Sequence, residues 1–506
     1  MDKRLILAMA LSMLVLLAWS AFLPKTQPIE NKGVTSNNLV TQAITSLPKT
    51  LPDTLGVAIS PRLIKLARDQ WEITFDEGKA AIQAAEFKNF QNYKFTLQNG
   101  YWLSVEKLIF REIPTGSSGE IAFVYQDQQQ KITKRFIVSN SNYTIELDIE
   151  VANLSQHSID LDLPLVLGVL NFANTKNQMN LTSVGIATKE KIFHQNGRKD
   201  ATFLGVRFLG LRERYFCTII EPLVGNYSAF IRKLTPQASE AGLSLQGVQL
   251  APGNSLKQKF HIYLGPQDLK LINAANPSWV ELINFGAFDF ISRLVLRVLE
   301  FIYSLVHNWG LSIIILSILV YTLLYPLSLK QMRSMKEMQL LQPKIEEIRK
   351  AYKDNPKKMN VEIMSLYREH KVNPLGGCLP LILQIPIFFA LYQALIRFVS
   401  LKGAKFLWIK DLSEPDQLFK LPISLPILGN EVNILPILMA IGMFVQQKTS
   451  MKLTAGSSAE QQKMMLILMP VMFGFIFYHM SSGFVLYWFV NSILMLAFQL
   501  KMNRAK

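Results

Sequence analysis

The stretch that decides the fold is MMLILMPVMFGFIFYHMSSGFVLYWFVNSILMLAFQL, residues Met464 to Leu500, which contains no Asp, Glu, Lys or Arg. A helix needs about 20 apolar residues to cross a hydrocarbon core of about 30 Å, so this stretch is too long for one crossing. Ser481-Ser482-Gly483 supplies a turn near its middle. We therefore predict a helical hairpin that crosses a membrane twice.

Four further apolar runs are candidates for single crossings. They are Leu5 to Leu23, Phe301 to Leu329, Val372 to Ile396 and Val432 to Gln447. Together with the hairpin they predict a polytopic α-helical membrane protein with six spans. Residues 1–23 form the predicted N-terminal transmembrane anchor, and a cleavable signal peptide is the alternative because Ala18-Trp19-Ser20 resembles a small-x-small cleavage site.

Composition agrees with a membrane protein. The 506 residues are 50% hydrophobic and 18% charged, with a formal net charge of +16, which excludes a small soluble domain, a disordered chain and a disulfide scaffold. The two cysteines, Cys217 and Cys378, belong to no CxxC motif or Cys/His cluster. We expect neither a structural disulfide nor a metal site.

Positive charges predict the orientation of the spans. If every span crosses once, 19 Lys and Arg residues lie on one side, and the five between Arg397 and Lys420 lie on the other. Cytoplasmic loops are the ones enriched in Lys and Arg, so both termini are predicted to be cytoplasmic. Residues 24–285, with 27 Lys/Arg against 23 Asp/Glu, would then lie outside the cytoplasm.

This large insert is predicted to begin with a linker, 24–60, which is rich in Pro, Thr, Ser, Asn and Gln. Residues 61–285 follow with the period of two that is typical of strands. The alternation is clearest from Tyr143 to Val151, and Phe136 to Val138 and Phe260 to Leu264 are further strand candidates. We predict one large β-sandwich domain.

Residues 286–300 have a helical period. Four charged residues share one face, and apolar residues including Phe290, Leu294 and Val295 occupy the other. The charged residues are Asp289, Arg293, Arg297 and Glu300. This pattern predicts an amphipathic helix in the membrane interface, with its apolar side in lipid, or alternatively a helix packed on the β-domain.

Residues 301–506 form the predicted membrane core of five transmembrane helices, interrupted by a basic segment, 330–371, with 11 Lys/Arg against 6 Asp/Glu. Within this segment Ile345, Ile348 and Tyr352 lie on one helical face, and Asp354-Asn355-Pro356 breaks the helix. The helical period then resumes with Val361, Met364 and either Tyr367 or Arg368. We predict a cytoplasmic helical hairpin.

Several short strings in this half of the chain together resemble one family, the YidC membrane protein insertases. They are Tyr325-Pro326-Leu327, Gln342-Pro343-Lys344-Ile345, Asn373-Pro374-Leu375-Gly376-Gly377-Cys378-Leu379-Pro380, Pro386-Ile387-Phe388 and Ser482-Gly483-Phe484-Val485-Leu486-Tyr487-Trp488. The resemblance covers residues 286 to 506 in order. The large insert is similar to the periplasmic domain of the Gram-negative members.

The resemblance implies a bacterial inner-membrane protein that inserts and folds other membrane proteins, alone or beside the Sec translocon, and is not an enzyme. The expected partners are nascent membrane proteins, the Sec translocon, ribosomes or targeting factors, and anionic lipids. No nucleotide motif is present, and we expect no cofactor and no small-molecule substrate. Within the cytoplasmic hairpin, the residues expected to serve function are Arg349, Asp354, Lys357 and Lys358.

An insertase must let a polar stretch of its client leave water, since each unsatisfied backbone group in hydrocarbon costs several kcal/mol. Polar residues that recur on single faces of three spans suggest a wet groove. The predicted groove residues are Ser317, Tyr321, Tyr325, Gln384, Tyr487, Trp488, Asn491 and Ser492. Alternatively, each polar residue only holds helices together.

The chain departs from the family at one groove position. The family usually places an arginine four residues before the Tyr-Pro-Leu string, where this chain has Tyr321. An arginine would attract acidic client segments, whereas a phenol can only form hydrogen bonds. We expect hydration, shape and hydrogen bonding to dominate in this groove.

The predicted spans are short. Val432 to Gln447 would make a helix of about 24 Å, and each arm of the 464–500 hairpin about 25 Å, against a core near 30 Å. Short spans thin the bilayer locally and lower the barrier for a client. The alternative is that flanking residues lengthen the helices.

Two other functions fit parts of the sequence. A solute transporter would also have polar groups in six spans, but the chain has no inverted repeat and no acidic pair in a span. A membrane-tethered sugar-modifying enzyme would fit the β-sandwich, but His157, His194 and His261 have no motif spacing.

Overall fold

The computed structural model describes residues 62–100, 108–172, 182–353, 355–370, 372, 379–425, 429–451 and 459–504. The predicted anchor and linker lie outside the described residues, as do Asp354 and most of the Asn373 to Pro380 string.

The first part of the described chain is a β-domain. Its strands are β1 Leu63–Ala67, β2 Trp71–Asp76, β3 Ala81–Phe87, β4 Tyr93–Gly100, β5 Arg111–Ile113, β6 Glu120–Gln126, β7 Gln130–Val138, β8 Thr144–Asn153, β9 Ile159–Asn171, β10 Ser183–Thr188, β11 Ile192–Gln195, β12 Ala201–Phe203, β13 Val206–Arg212, β14 Phe216–Pro222, β15 Ser228–Thr235, β16 Ala238–Leu250 and β17 Ser255–Pro266.

These strands form two layers. One layer is a nine-stranded sheet in the order β11-β10-β13-β14-β17-β8-β7-β6-β5. The other consists of two four-stranded sheets, β1-β2-β3-β4 and β12-β15-β16-β9, with β4 lying beside β9. Aromatic rings join the layers, since Phe75 packs on Phe136 with centroids 5.1 Å apart and Phe87 stacks on Phe216 at 4.5 Å. The domain is therefore a β-sandwich.

The alternating sequence of β8 shows why this architecture forms. Its apolar residues Ile145, Leu147, Ile149 and Val151 are all buried, while the residues between them are more exposed. Strand β8 pairs antiparallel with β7 on one side and with β17 on the other. The strands predicted around residues 136–138, 143–151 and 260–264 are confirmed.

Helices dominate the rest of the described chain. They are α1 Leu269–Ala275, α2 Asp289–Val306, α3 Trp309–Leu340, α4 Gln342–Ala351, α5 Pro356–Glu369, α6 Leu379–Arg397, α7 Ile434–Met451, α8 Ala459–Phe477 and α9 Ser482–Arg504. A two-stranded hairpin, β18 Phe419–Leu425 and β19 Gly429–Val432, lies between α6 and α7 and was not predicted.

The boundary between the amphipathic helix and the next helix corrects the sequence prediction. Helix α2 runs to Val306 instead of residue 300, so the first residues of the predicted span from Phe301 belong to α2. His307 adopts a left-handed conformation, with φ of 52°, that ends α2. Asn308 then accepts a hydrogen bond from the Leu311 amide at 2.9 Å, which begins α3.

The packing of α2 differs from the two-faced prediction. Val295 and Leu299 are buried against the core, where α2 packs on α6 and α3, whereas Val295 was predicted to face lipid. Phe290, Leu294 and Phe301 remain exposed on another side. A helix can have a packed, a charged and an exposed apolar face at once, and the sequence pattern distinguished only two of them.

Helix lengths correct other parts of the prediction. Among the described residues, two segments are long and apolar enough to span a membrane, Trp309–Lys330 and Ser482–Lys501. Shorter apolar helical segments are Ile434–Thr449 and Leu466–Phe477. Because α9 has 23 residues, the prediction that both arms of the last hairpin are short is wrong for α9. The predicted turn is confirmed between Phe477 and Ser482.

The basic segment folds as the predicted pair of helices. Asn355 caps α5 by accepting a hydrogen bond from the Lys358 amide at 3.1 Å, and Pro356 occupies the first turn. Helices α4 and α5 share a small separate core. Its buried residues are Leu341, Ile345, Leu366, Tyr367 and Val372.

Two details of this segment were predicted wrongly. Val361 and Met364 are exposed and do not face α4, because Leu366 and Tyr367 supply the packing face of α5. Val372 is buried in the hairpin core and is not the start of a span. Periodicity identified the helix and offered the buried Tyr367, but it grouped that residue with Val361 and Met364, which face outward.

The β-domain contacts the membrane core through the turn between β13 and β14. The Arg214 guanidinium donates to the carbonyl oxygens of Ile396 at 3.1 Å and Ser413 at 2.7 Å, and pairs with the Glu414 carboxylate at 3.0 Å. The Glu414 carbonyl in turn accepts hydrogen bonds from the amide and hydroxyl of Ser482. One loop thus joins the β-domain to the first residue of α9.

Candidate functional site

Three of the predicted groove residues meet in the interior of the helical core. The Tyr487 side chain on α9 is fully buried, and its hydroxyl interacts with the side chains of Asn491 and of Gln384 on α6. The geometry is poor for a hydrogen bond, since neither the Tyr487 hydroxyl nor the Asn491 amide nitrogen has a well-oriented partner among the described residues. We call these three residues the polar cluster.

Helix α3 contributes a second set of predicted residues. Ser317 is fully buried, and its hydroxyl donates to the carbonyl of Ile313 at 2.8 Å, so it is satisfied within its own helix. The Tyr321 hydroxyl is buried without a hydrogen-bond partner among the described residues. Tyr325 lies one turn further toward the basic segment. Of these α3 residues, Tyr321 therefore has a buried hydroxyl that is still able to form hydrogen bonds.

Trp488 and Ser492 play packing roles. Trp488 stands within a group of aromatic rings from α6 and α8, with centroid distances of 5.3 Å to Phe388 and 5.7 Å to Phe477. The Ser492 hydroxyl donates to the carbonyl of Trp488 at 3.0 Å. The Ser492 hydroxyl is therefore satisfied within α9, and the Trp488 ring packs among aromatic neighbours.

The sequence analysis missed Phe498. This residue of α9 is buried, and its ring packs edge-on against Tyr325 at 5.1 Å and Tyr321 at 6.5 Å between centroids. With Leu329 these residues form a hydrophobic cluster that is separate from the main core. A phenylalanine in an apolar helix carries no polar signal, although its position seven residues after Asn491 places both on one helical face.

The site carries no formal charge. Trp309 to Leu329, Leu379 to Ile396 and Ser482 to Leu500 contain no Asp, Glu, Lys or Arg. Hydroxyl and amide groups can both donate and accept hydrogen bonds, so this arrangement can solvate peptide groups but cannot attract a charge over a distance.

The residues predicted to serve function in the cytoplasmic hairpin do not belong to this site. Lys357 and Lys358 are exposed, and the Lys358 ammonium lies 5.1 Å from the centroid of the Tyr352 ring. Arg349 lies in the last turn of α4 and interacts electrostatically with Tyr367. Asp354 is outside the described residues.

Comparisons with known proteins cover most of the chain. The family model described as 60Kd inner membrane protein matches residues 301–506, and the model described as YidC periplasmic domain matches residues 76–298. Together the matched ranges cover the β-domain from the end of β2 onward and the helical core from Phe301 onward.

Two relatives named membrane protein insertase YidC illustrate the similarity. The protein of Geotalea daltonii is 30% identical, over 100% of this chain and 99% of its own length. The protein of Syntrophobacter fumaroxidans is 35% identical over 74% of this chain and 68% of its own length. A solved structure titled as an active YidC insertase with the first transmembrane domain resolved has 24% identity and a TM-score of 0.40, covering 87% of this chain and 92% of that one.

A periplasmic β-domain followed by a helical membrane core defines a class of bacterial inner-membrane proteins with a role in membrane protein biogenesis. The chain belongs to the YidC family of membrane protein insertases. This membership identifies an insertase and not an enzyme, and it decides against the solute transporter and the sugar-modifying enzyme.

Proposed function

We propose that this chain inserts nascent membrane proteins through an uncharged polar groove formed by α3, α6 and α9. The groove residues are Ser317, Tyr321, Tyr325, Gln384, Tyr487, Trp488, Asn491 and Ser492. The groove gives a polar client segment hydrogen-bonding groups and water inside the bilayer, where the segment would otherwise be unsatisfied.

The observation that carries this proposal is the polar cluster. Tyr487, Asn491 and Gln384 bring three uncharged polar side chains from two helices into a region that is otherwise apolar. Poorly satisfied polar groups in a low-dielectric interior are costly, by about 1–3 kcal/mol each. A site that binds passing peptide groups recovers that cost when it is occupied.

The topology that goes with this proposal has six spans and cytoplasmic termini. Residues 1–23 would be the anchor, 24–60 a linker and 61–285 the periplasmic domain. Residues 301–506 would contribute the five-helix core, with α2 in the membrane interface. The distribution of 19 positive residues on one side and five on the other supports this orientation.

Short apolar segments favour local thinning of the bilayer. Ile434–Thr449 corresponds to about 24 Å of helix and Leu466–Phe477 to about 18 Å. A core of about 30 Å would have to thin or let flanking residues reach outward around them. Thinning shortens the path that a polar client segment must cross.

The cytoplasmic hairpin is proposed to receive clients and their carriers. Along α5, an outward stripe combines two basic residues, Lys357 and Arg368, with the exposed apolar Val361 and Met364. With the further positive charges of Lys358 on α5 and Arg349 on α4, the hairpin would attract anionic lipids, ribosomal RNA or acidic segments of targeting factors. The Sec translocon is a further proposed partner.

The test is reconstitution of the full chain into liposomes with a short membrane-protein client. A photocrosslinking amino acid at position 321 should capture the client during insertion. The matched control is the same amino acid at Leu323, on the same helix, whose side chain is 74% exposed. Capture at 323 that equals or exceeds capture at 321 would overturn the groove.

A further inference from the structure

We infer that Phe498 is a gate that closes the cytoplasmic mouth of the groove, and that its ring must swing away from Tyr321 and Tyr325 when a client enters. The inference rests on the groove proposed above and adds a residue with a separate role. It is carried by the arrangement of side chains along two helices.

The first step is the order of residues along α9. Tyr487, Asn491 and Phe498 are separated by four and seven residues, so they lie within about 40° of one another around the helix. Phe498 is about 10 Å further along the axis than Asn491, toward the C-terminal end. The ring therefore lies on the same face of α9 as Tyr487 and Asn491, closer to the C-terminal end of the helix.

The second step is what covers that face. The ring of Phe498 packs edge-on against both tyrosines of α3, and the phenylalanine is only 7% exposed. These contacts, with Leu329, form a cluster that does not join the main hydrophobic core. At this level the aromatic contacts of Phe498 with Tyr321 and Tyr325 join α9 to α3.

The third step concerns two residues adjacent to Phe498, Tyr321 by ring contact and Gln499 in sequence. The Tyr321 hydroxyl and the Gln499 side-chain oxygen are both buried without hydrogen-bond partners among the described residues. The closed state therefore carries a free-energy cost, because it buries polar groups that water or a peptide would otherwise satisfy by hydrogen bonding. A closed state of this kind opens at low cost when a polar segment arrives.

The gate can be tested without measuring insertion, by the rate at which a water-soluble reagent labels a cysteine placed inside the groove. A single cysteine replaces Leu494, which lies between Asn491 and Phe498 on the same face, in full-length protein whose Cys217 and Cys378 are changed to alanine. A membrane-impermeant cationic thiol reagent is added to the cytoplasmic side of inverted vesicles. We expect Phe498→Ala to raise the labelling rate on the order of tenfold, because loss of a buried ring shifts a closed state toward an open one.

Three controls separate a gate from general loosening of the helices. Leu500→Ala removes a 45% exposed side chain two residues away and should leave the rate unchanged. A cysteine at the exposed Ile493 should report the same rate with and without the Phe498→Ala substitution. Phe498→Leu, which keeps much of the volume, should label slowly and guards against a misfolded alanine variant.

Equal labelling of the Leu494 cysteine with and without the Phe498→Ala substitution, whether fast or slow, would overturn the gate. Failure of the groove itself would appear differently, as absence of client capture at position 321 in the reconstituted system. In a complementary measurement, Phe498→Trp should slow insertion severalfold by enlarging the ring, and an unchanged rate would contradict the gate.

Discussion

The Arg214 guanidinium of the β-domain pairs with the Glu414 carboxylate of the loop that holds the start of α9, with Nη1 and Oε1 3.0 Å apart. The same guanidinium donates to the carbonyl of Ile396 at the end of α6. A single side chain therefore links the β-domain to two helices of the proposed groove.

We expect Arg214→Ala to loosen the 411–416 loop and the first turn of α9. Charged hydrogen bonds of this kind contribute about 2 kcal/mol, so amide hydrogen exchange of Ser482 should accelerate by more than tenfold. The control is Arg232→Ala, which removes a pair with Glu240 inside the β-domain. Unchanged exchange at Ser482 would show that the β-domain does not hold α9.

Tyr321 should contribute hydrogen bonding and not charge to insertion. We predict that Tyr321→Ala lowers the insertion rate about fivefold, the equivalent of one hydrogen bond of about 1 kcal/mol. Tyr321→Arg should be impaired less, because a guanidinium also donates hydrogen bonds and retains water. A reconstituted insertion assay compares the three proteins, and equal activities of all three would contradict the prediction.

Asp416 should be required for the stability of α7. One of its carboxylate oxygens accepts hydrogen bonds from the amides of Ile434 at 2.9 Å and Leu435 at 3.0 Å, and from the Trp408 indole at 3.2 Å. Asp416→Ala should cost about 2 kcal/mol and lower the thermal midpoint of the detergent-solubilised protein by a few degrees. Asp411→Ala, which removes the hydrogen bonds that this carboxylate accepts from the amide and hydroxyl of Ser413, should have a smaller effect.

Lys134 should make the β-domain less stable as pH falls from alkaline values. Its ammonium is fully buried on β7 and donates to the carbonyl of Ala80 at 3.2 Å, and burial lowers its pKa from 10.5 to about 7. Between about pH 10.5 and 7 the unfolded chain binds a proton that the folded protein resists. The free energy of unfolding therefore falls across this range as pH is lowered.

Lys134→Met should remove this dependence. The gain in stability should reach up to about 5 kcal/mol below pH 7 and vanish near pH 10.5, as measured by the unfolding midpoint of the full chain in detergent. Burial raises the pKa of Glu213 to about 7, but that effect is common to both proteins and cancels in the comparison. The control is Lys131→Met, at an exposed position on the same strand, which should give no pH-dependent gain. A gain for Lys134→Met that does not vary with pH would contradict the assignment of this dependence to Lys134.

The candidate site was predictable only in part. Polar residues stand out in apolar helices, so Gln384, Tyr487 and Asn491 could be selected from the sequence, and they do interact. Ser317 and Ser492 were selected for the same reason, yet their hydroxyls bond to their own helices. Composition identifies a polar group but not the partner that satisfies it. Phe498 could not be selected at all, because an aromatic residue in such a helix is not distinctive without its neighbours.

The sequence by itself determined the class of the chain, the β-sandwich, the helical hairpin at residues 464–500 and the break at Asn355-Pro356. These features follow from local physics, namely the length of apolar runs, the two-residue period of β8 and the conformation of proline. Tertiary structure alone decided that α2 continues to Val306, that Val361 and Met364 face outward and that Phe498 covers Tyr321. Each of these depends on which surface of a helix finds a partner, and residues far apart in the chain supply that partner.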